Sequence, residues 1–174
     1  GCAETPDDVF VRATNGDAEA QVAQGDRFVE PGEARDLTAA ADWYERAATQ
    51  GNQLAQFKLG QLHFGESDGA FEPKSATGVR WLSDAAELGN EEAMRDLIAI
   101  YDEGRGIPKD PEISGKWMVK VAEFEKPADL VALGIRYYEA KGVPLNRGRG
   151  AKLIARAAEL GDATAQLYLA RLYT

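Results

Sequence analysis

The sequence predicts an all-α fold: a solenoid of about four helix-turn-helix repeats with a 36–38-residue period and no β-sheet. Four blocks repeat one another, beginning at Trp43, Trp81, Trp117 and Leu153, with spacings of 38, 36 and 36 residues. A fixed period of roughly 20–50 residues is the signature of stacked repeats. Between the blocks, apolar residues recur at i, i+4 and i+8, which is helical spacing, and no segment shows a convincing period-two strand pattern.

Each element then follows in order. The pattern predicts helices over 7–15, 18–29, 37–50, 53–64, 75–88, 91–103, 111–124, 127–140, 147–160 and 163–173. The first helix of each repeat carries the large anchor, with a small residue three positions before it: Ala40, Gly78, Ser114 and Gly150. Small residues beside one indole let a neighbouring helix approach closely. The dipeptides Gly16-Asp17, Gly51-Asn52, Gly89-Asn90 and Gly161-Asp162 end one helix and cap the next, because Gly accepts the left-handed conformation and Asn or Asp caps an N-terminus. The second helices align as Ala55-x3-Leu59-Gly60-x2-His63, Ala93-x3-Leu97-Ile98-x2-Tyr101, Asp129-x3-Leu133-Gly134-x2-Tyr137 and Ala165-x3-Leu169-Ala170-x2-Tyr173. Connectors bear turn chemistry, and Asp110-Pro111 reads as an N-cap followed by proline at the first helical position. The chain reads as a tether over 1–6 and one solenoid domain over 7–174. Entering and leaving within repeats, it has the form of a segment excised from a longer array, or of one with ends capped by something else.

Composition narrows the function classes. With 44% apolar residues among 174, the chain can bury a sizeable core, and no apolar run approaches the roughly 20 residues of a membrane span. Its formal charge of −9 lies entirely in residues 1–72, which hold 14 acids against 5 bases, while the remainder is balanced at 15 of each. Nucleic acid as a main ligand is disfavoured, since binding it needs an excess of Lys and Arg. A basic protein partner is compatible with the acidic part, and so is simple solubility. The one cysteine, Cys2, excludes an internal disulfide. Gly1-Cys2 before a polar Ala-Glu-Thr-Pro-Asp-Asp run reads either as the lipidation site of a bacterial lipoprotein or as a cloning boundary.

Chemistry-bearing residues are few. His63 is the only histidine, hence the only ready general base near neutral pH, with Ser67, Ser75 and Ser83 not far in sequence. The register places it in the slot held by Tyr101, Tyr137 and Tyr173, which favours packing over catalysis. One His and one Cys leave almost no material for a zinc site. Glu66, Asp68 and Glu72 in the longest connector do not match a calcium loop. Glu91-Glu92 falls in a helical first turn, where acids suit the dipole. Asn146-Arg-Gly-Arg-Gly-Ala-Lys152 lacks the strand and the Gly-Lys-Ser/Thr ending of a phosphate cradle. No catalytic, cofactor-binding or metal-binding residue is therefore assigned.

The composite pattern, small-x-x-Trp-x3-Ala-Ala-x-x-Gly-Asn-x-x-Ala-x3-Leu-Gly-x-x-Tyr followed by Gly-x-Gly-Val/Ile-Pro-x-Asp, resembles the Sel-one-like repeats, relatives of tetratricopeptide repeats. The resemblance covers about residues 8–174. It departs at Val121, at Glu125-Lys126 in place of Gly-Asn, at Ile98 and at His63. It implies a right-handed α-solenoid and a non-enzymatic protein-protein interaction module with no cofactor. If the repeats pack like tetratricopeptide repeats, a concave face carries the partner site at Leu54, Phe57, Lys58, Gln61, Glu92, Arg95, Val131 and Arg171, beside Glu19, Val22, Asp26, Ala99, Ile135 and Leu167. Roles known in the family include a periplasmic immunity protein against a secreted toxin and a secretion or envelope scaffold. The expected partner is then a toxin or an envelope subunit, and the expected location is the periplasm, lipid-anchored through Cys2, with the cytoplasm as alternative. An enzyme using His63 and a purely structural spacer are the competing readings.

Overall fold

The computed structural model describes residues 5–32, 35–65, 67 and 69–172. Gly1, Cys2, Glu66, Asp68 and Tyr173, singled out from the sequence, lie outside the described residues. Among the described residues there are ten α-helices and no strand: α1 (Pro6–Thr14), α2 (Ala18–Val29), α3 (Leu37–Thr49), α4 (Gln53–Leu62), α5 (Ser75–Glu87), α6 (Glu91–Glu103), α7 (Pro111–Val121), α8 (Pro127–Glu139), α9 (Arg147–Glu159) and α10 (Ala163–Leu172). Every expected helix is present, most with ends within a residue or two. The helix expected to run to 124 instead stops at Val121 and tightens into a 3-10 turn over Ala122–Phe124.

Local chemistry sets these boundaries. Asp17, Asn52, Asn90 and Asp162 each accept the N–H three residues on, at 2.8–2.9 Å. The glycine before each cap has a φ between +83° and +97°. Asp110 accepts from both Glu112 and Ile113 ahead of Pro111. The 3-10 turn ends where this device is missing: Glu125 takes the glycine position and sits in the left-handed region at φ +53°, and Lys126 provides no side-chain cap. For an L-residue that conformation costs about 1–2 kcal/mol.

The chain divides into two compact units, residues 1–93 and 94–174, with α6 beginning in the first and continuing in the second. In the first unit α2 packs on α3, α3 on α4 and α4 on α5. The core gathers Val22, Leu37, Tyr44, Leu59, Leu62, Phe71 and Trp81 with alanines at 40, 47, 48 and 55. Trp81 is 7% exposed, as its anchor role requires. Gly60 admits the close contact of α4 with α5, since a Cβ there would lie 2.7 Å from Leu82 Cγ. In the second unit α8 packs on α9 and α9 on α10. Leu97, Ile100, Trp117, Val121, Leu133, Tyr137 and Ile154 are buried there.

Candidate functional site

The second helices carry the residues expected to meet a partner, and the structure sorts them. Leu54 is 48% exposed, and Gln61, Glu92 and Arg171 also reach the surface. Phe57 and Val131 are each only 7% exposed, so they offer an edge at most and cannot be protruding anchors. Both stand two residues after the position of Ala55 in their repeat, as does the buried Val22, while Leu167 at the same position of the last repeat is 54% exposed. Lys58 and Arg95 are half-buried and already paired within the chain. Lys58 Nζ lies 2.9 Å from Asp26 Oδ1, and Arg95 Nη2 lies 2.5 Å from Asp129 Oδ2. Asp26 also accepts from the Tyr44 hydroxyl at 2.6 Å; burial first, and then this carboxylate, push the phenol pKa upward. Lys58 and Gln61 share the wall of a cavity of about 300 Å³ with Arg35, Tyr44 and Leu62.

His63 is 9% exposed and packs on Phe71 with ring centroids 5.2 Å apart. Its Nδ1 accepts the Lys74 N–H at 3.2 Å, which pins the connector to the end of α4. Burial, followed by the charges of Lys74 and Arg80, lowers its pKa below the ordinary 6.5 and favours the neutral ring. With Nδ1 accepting, that ring carries its proton on Nε2. No described serine is hydrogen-bonded to His63: Ser67 Oγ instead donates to the Phe71 carbonyl at 2.7 Å. The geometry is that of a packing and loop-pinning group.

His63 also borders a cavity of about 410 Å³ in the first unit, formed by α3, the connector over 70–74 and α5. The second unit holds a cavity of about 650 Å³ between α7 and the connector over 140–144. The two occupy the same place in the repeat. Thr38, Ala41, Asp42 and Glu45 line the first, and Glu112, Gly115, Lys116 and Val119 line the second, each set at −5, −2, −1 and +2 from its Trp. His63 and Tyr137 fill one shared slot. These cavities lie on the first helices, whereas the sequence pattern points to the second helices as the partner face. The change at the −1 position from the acidic Asp42 to the basic Arg80, Lys116 and Lys152 is the signal that points to them.

A buried polar cluster was likewise not anticipated. Arg136, 6% exposed, donates to Asp102 and, at 3.0 Å, to Ser114 Oγ; Ser114, fully buried, reaches the Ile98 carbonyl at 3.3 Å. Register was again the available signal, because Arg136 stands where other repeats have Leu62 and Ile100. The Gly-rich stretch at 146–152 is an ordinary helix start: Asn146 accepts the Arg149 N–H at 2.9 Å, and the Arg149 guanidinium lies 4.9 Å from the Tyr137 ring centre. Glu91 and Glu92 occupy the first turn of α6. Among the described residues no helix is long and apolar enough to cross a membrane.

The Sel1 repeat pattern matches residues 17–52, 53–90, 92–123 and 128–162. Among solved structures, the chain is similar to c5321, a protective antigen present in uropathogenic Escherichia coli strains and displaying an SLR fold. Identity is 31%, the TM-score is 0.75, and the match covers 97% of this chain and 36% of that one. A Sel1 repeat protein from Oxalobacter formigenes is similar at 27% identity and a TM-score of 0.71, over 92% of this chain and 65% of that one. The chitin synthase regulator SKT5 of Saccharomyces cerevisiae is 28% identical over 91 residues, 52% of this chain and 13% of the yeast protein. The chain thus spans less than two thirds of each of these proteins.

Proposed function

This chain belongs to the Sel1 repeat family, whose repeats are protein-interaction modules, and on that premise we propose that it is a non-enzymatic binding module for a protein partner. The observation that carries this reading is Leu54, a large apolar side chain 48% exposed on α4 beside the exposed Gln61. The one histidine, meanwhile, is closed into packing. Contact surfaces combine apolar groups with a polar rim, and Leu54 supplies an apolar group of that kind on α4. On the second unit Leu167, 54% exposed, and Arg171 supply a comparable mixture on α10.

The finer role we propose is a bacterial envelope protein, lipid-anchored at Cys2 in the periplasm, that neutralises a secreted toxin. The acid excess of residues 1–72, the Gly1-Cys2 sequence and the likeness to a bacterial protective antigen support it. A secretion or envelope scaffold is the neighbouring role. Affinity capture from the native host tests the binding reading when run with the wild type and with Leu54→Ala/Gln61→Ala. The wild type retains a protein that the variant loses; equal capture by both overturns this surface. Mass spectrometry of the mature N-terminus tests the anchor, and an unmodified Cys2 there overturns it.

A further inference from the structure

We propose that two copies of this chain pair about a two-fold axis through the second unit, Leu145 of each copy entering the cavity of about 650 Å³ on the other. A two-fold interface presents one patch to itself. It must therefore hold both a knob and its hole, and both members of every charge pair. The hole lies between α7 and the 140–144 connector, and its volume falls in the roughly 300–1,000 Å³ range of small-ligand sites. Val119, Ala140, Val143 and Pro144 give it an apolar wall. Two of its glycines are locked against main chain: a Cβ on Gly115 would collide with the Gly142 carbonyl, and one on Gly142 with that of Pro111. A site fixed in this way is preformed, which spares the ordering cost of binding.

Leu145 is the knob. It is 59% exposed and directly follows Pro144, which lines the hole. Its position is out of pattern, because the residue just before the helix cap is Pro73 or the charged Lys109 in the corresponding connectors. A large apolar side chain held in water favours any contact that covers it. The charges supply the complementarity. Glu112 and Lys116 line the same cavity, four residues apart on α7, both exposed and neither in an ion pair among the described residues. A two-fold axis sets Glu112 of each copy against Lys116 of the other, so the pair forms twice. The cavity of the first unit cannot do this. It carries Asp42 and Glu45 at the positions of Lys116 and Val119, and two copies of it would meet acid to acid.

The pairing goes beyond the partner surface at Leu54 and Gln61 and uses none of its residues. Sedimentation velocity of the full chain, from about 1 μM to about 1 mM, tests it across the range of weak and moderate association. The wild type is expected to form a concentration-dependent dimer, and Leu145→Asp to stay monomeric. Glu112→Lys or Lys116→Glu alone is expected to weaken pairing about tenfold, the size of two exposed ion pairs. Mixing these two variants identifies the geometry. Their heterodimer is expected to be tighter than either homodimer, because every charge then meets its opposite. The double swap Glu112→Lys/Lys116→Glu is expected to restore the homodimer for the same reason. All three side chains are exposed, so each variant keeps the fold. A wild type monomeric at every concentration, a dimer that survives Leu145→Asp, or a mixture no tighter than its components overturns the proposal.

Discussion

The cavity of the first unit and its counterpart in the second are built at one place in the repeat from residues of opposite character. Asp42, Glu45 and His63 in the former stand where Lys116, Val119 and Tyr137 stand in the latter. Backbone geometry is held by alanine, glycine and the anchoring Trp, which the repeat keeps. Charge is set by positions that the packing leaves free. The interiors differ as well. The first unit closes on Leu62, Leu59 and Trp81, while the second places Arg136 at the position of Leu62 and answers it with Asp102 and Ser114. A repeat array can therefore change what it offers at each station without changing how it stacks.

The largest expected effects separate these two interiors. Asp102→Ala leaves Arg136 buried without its carboxylate and is expected to cost about 3–5 kcal/mol. Arg136→Leu/Asp102→Leu restores the apolar filling seen at Leu62 and is expected to recover most of that loss in denaturant unfolding. Additive losses in the double variant would show that the pair is not coupled. In the first unit Trp81→Ala is expected to cost about 3–5 kcal/mol, as large aromatic truncations in cores do. A loss below about 1 kcal/mol, the scale of a surface change, would show that Trp81 is not the anchor.

A smaller effect of opposite sign probes the turns. Among the described residues, Glu125 and Ala140 are the non-glycine residues with left-handed backbone, at φ +53° and +55°. Glu125→Gly is expected to stabilise by about 1 kcal/mol, even though it removes the exposed Arg156–Glu125 pair at 3.2 Å. An equivalent glycine is already in place at Gly51 and Gly89 of the first unit, so Gly51→Ala is expected to destabilise by a similar amount. Thermal unfolding of both variants checks the contrast.

The smallest effect concerns His63, whose pKa is lowered by burial from the ordinary 6.5. As pH falls below about 6.5, the unfolded chain takes up this proton before the folded one does. The contribution to stability is therefore fully present above that pH and declines as pH drops through the window beneath it. His63→Phe is expected to flatten stability between pH 7 and 5.5, windows set by that ordinary histidine value. At pH 8 it should cost about 1 kcal/mol for the lost Lys74 hydrogen bond. An unchanged pH slope would contradict the assignment.

What the sequence made legible was local. Caps such as Asn52 and Asn90, turn glycines and the Trp spacing act within a few residues, so all ten helices and the packing role of His63 could be read directly. Glu125 was visible as a missing glycine, and the 3-10 ending is its consequence. The Arg136–Asp102–Ser114 cluster joins residues 22 and 34 positions apart, and only repeat-by-repeat alignment hints at it. Phe57 and Val131 were placed toward a partner because helical spacing gives a face but not its cover. Lys58 and Arg95 fall on the expected partner face for the same reason, although each is paired with an acid about one repeat away in sequence.

Hydrogen exchange on the captured complex tests most directly whether this chain works by its surface. The account predicts slowed exchange in the peptides of α4 that carry Leu54 and Gln61, with binding retained in His63→Phe. Slowed exchange confined to other helices, with the peptides around Leu54 and Gln61 unchanged, would contradict it.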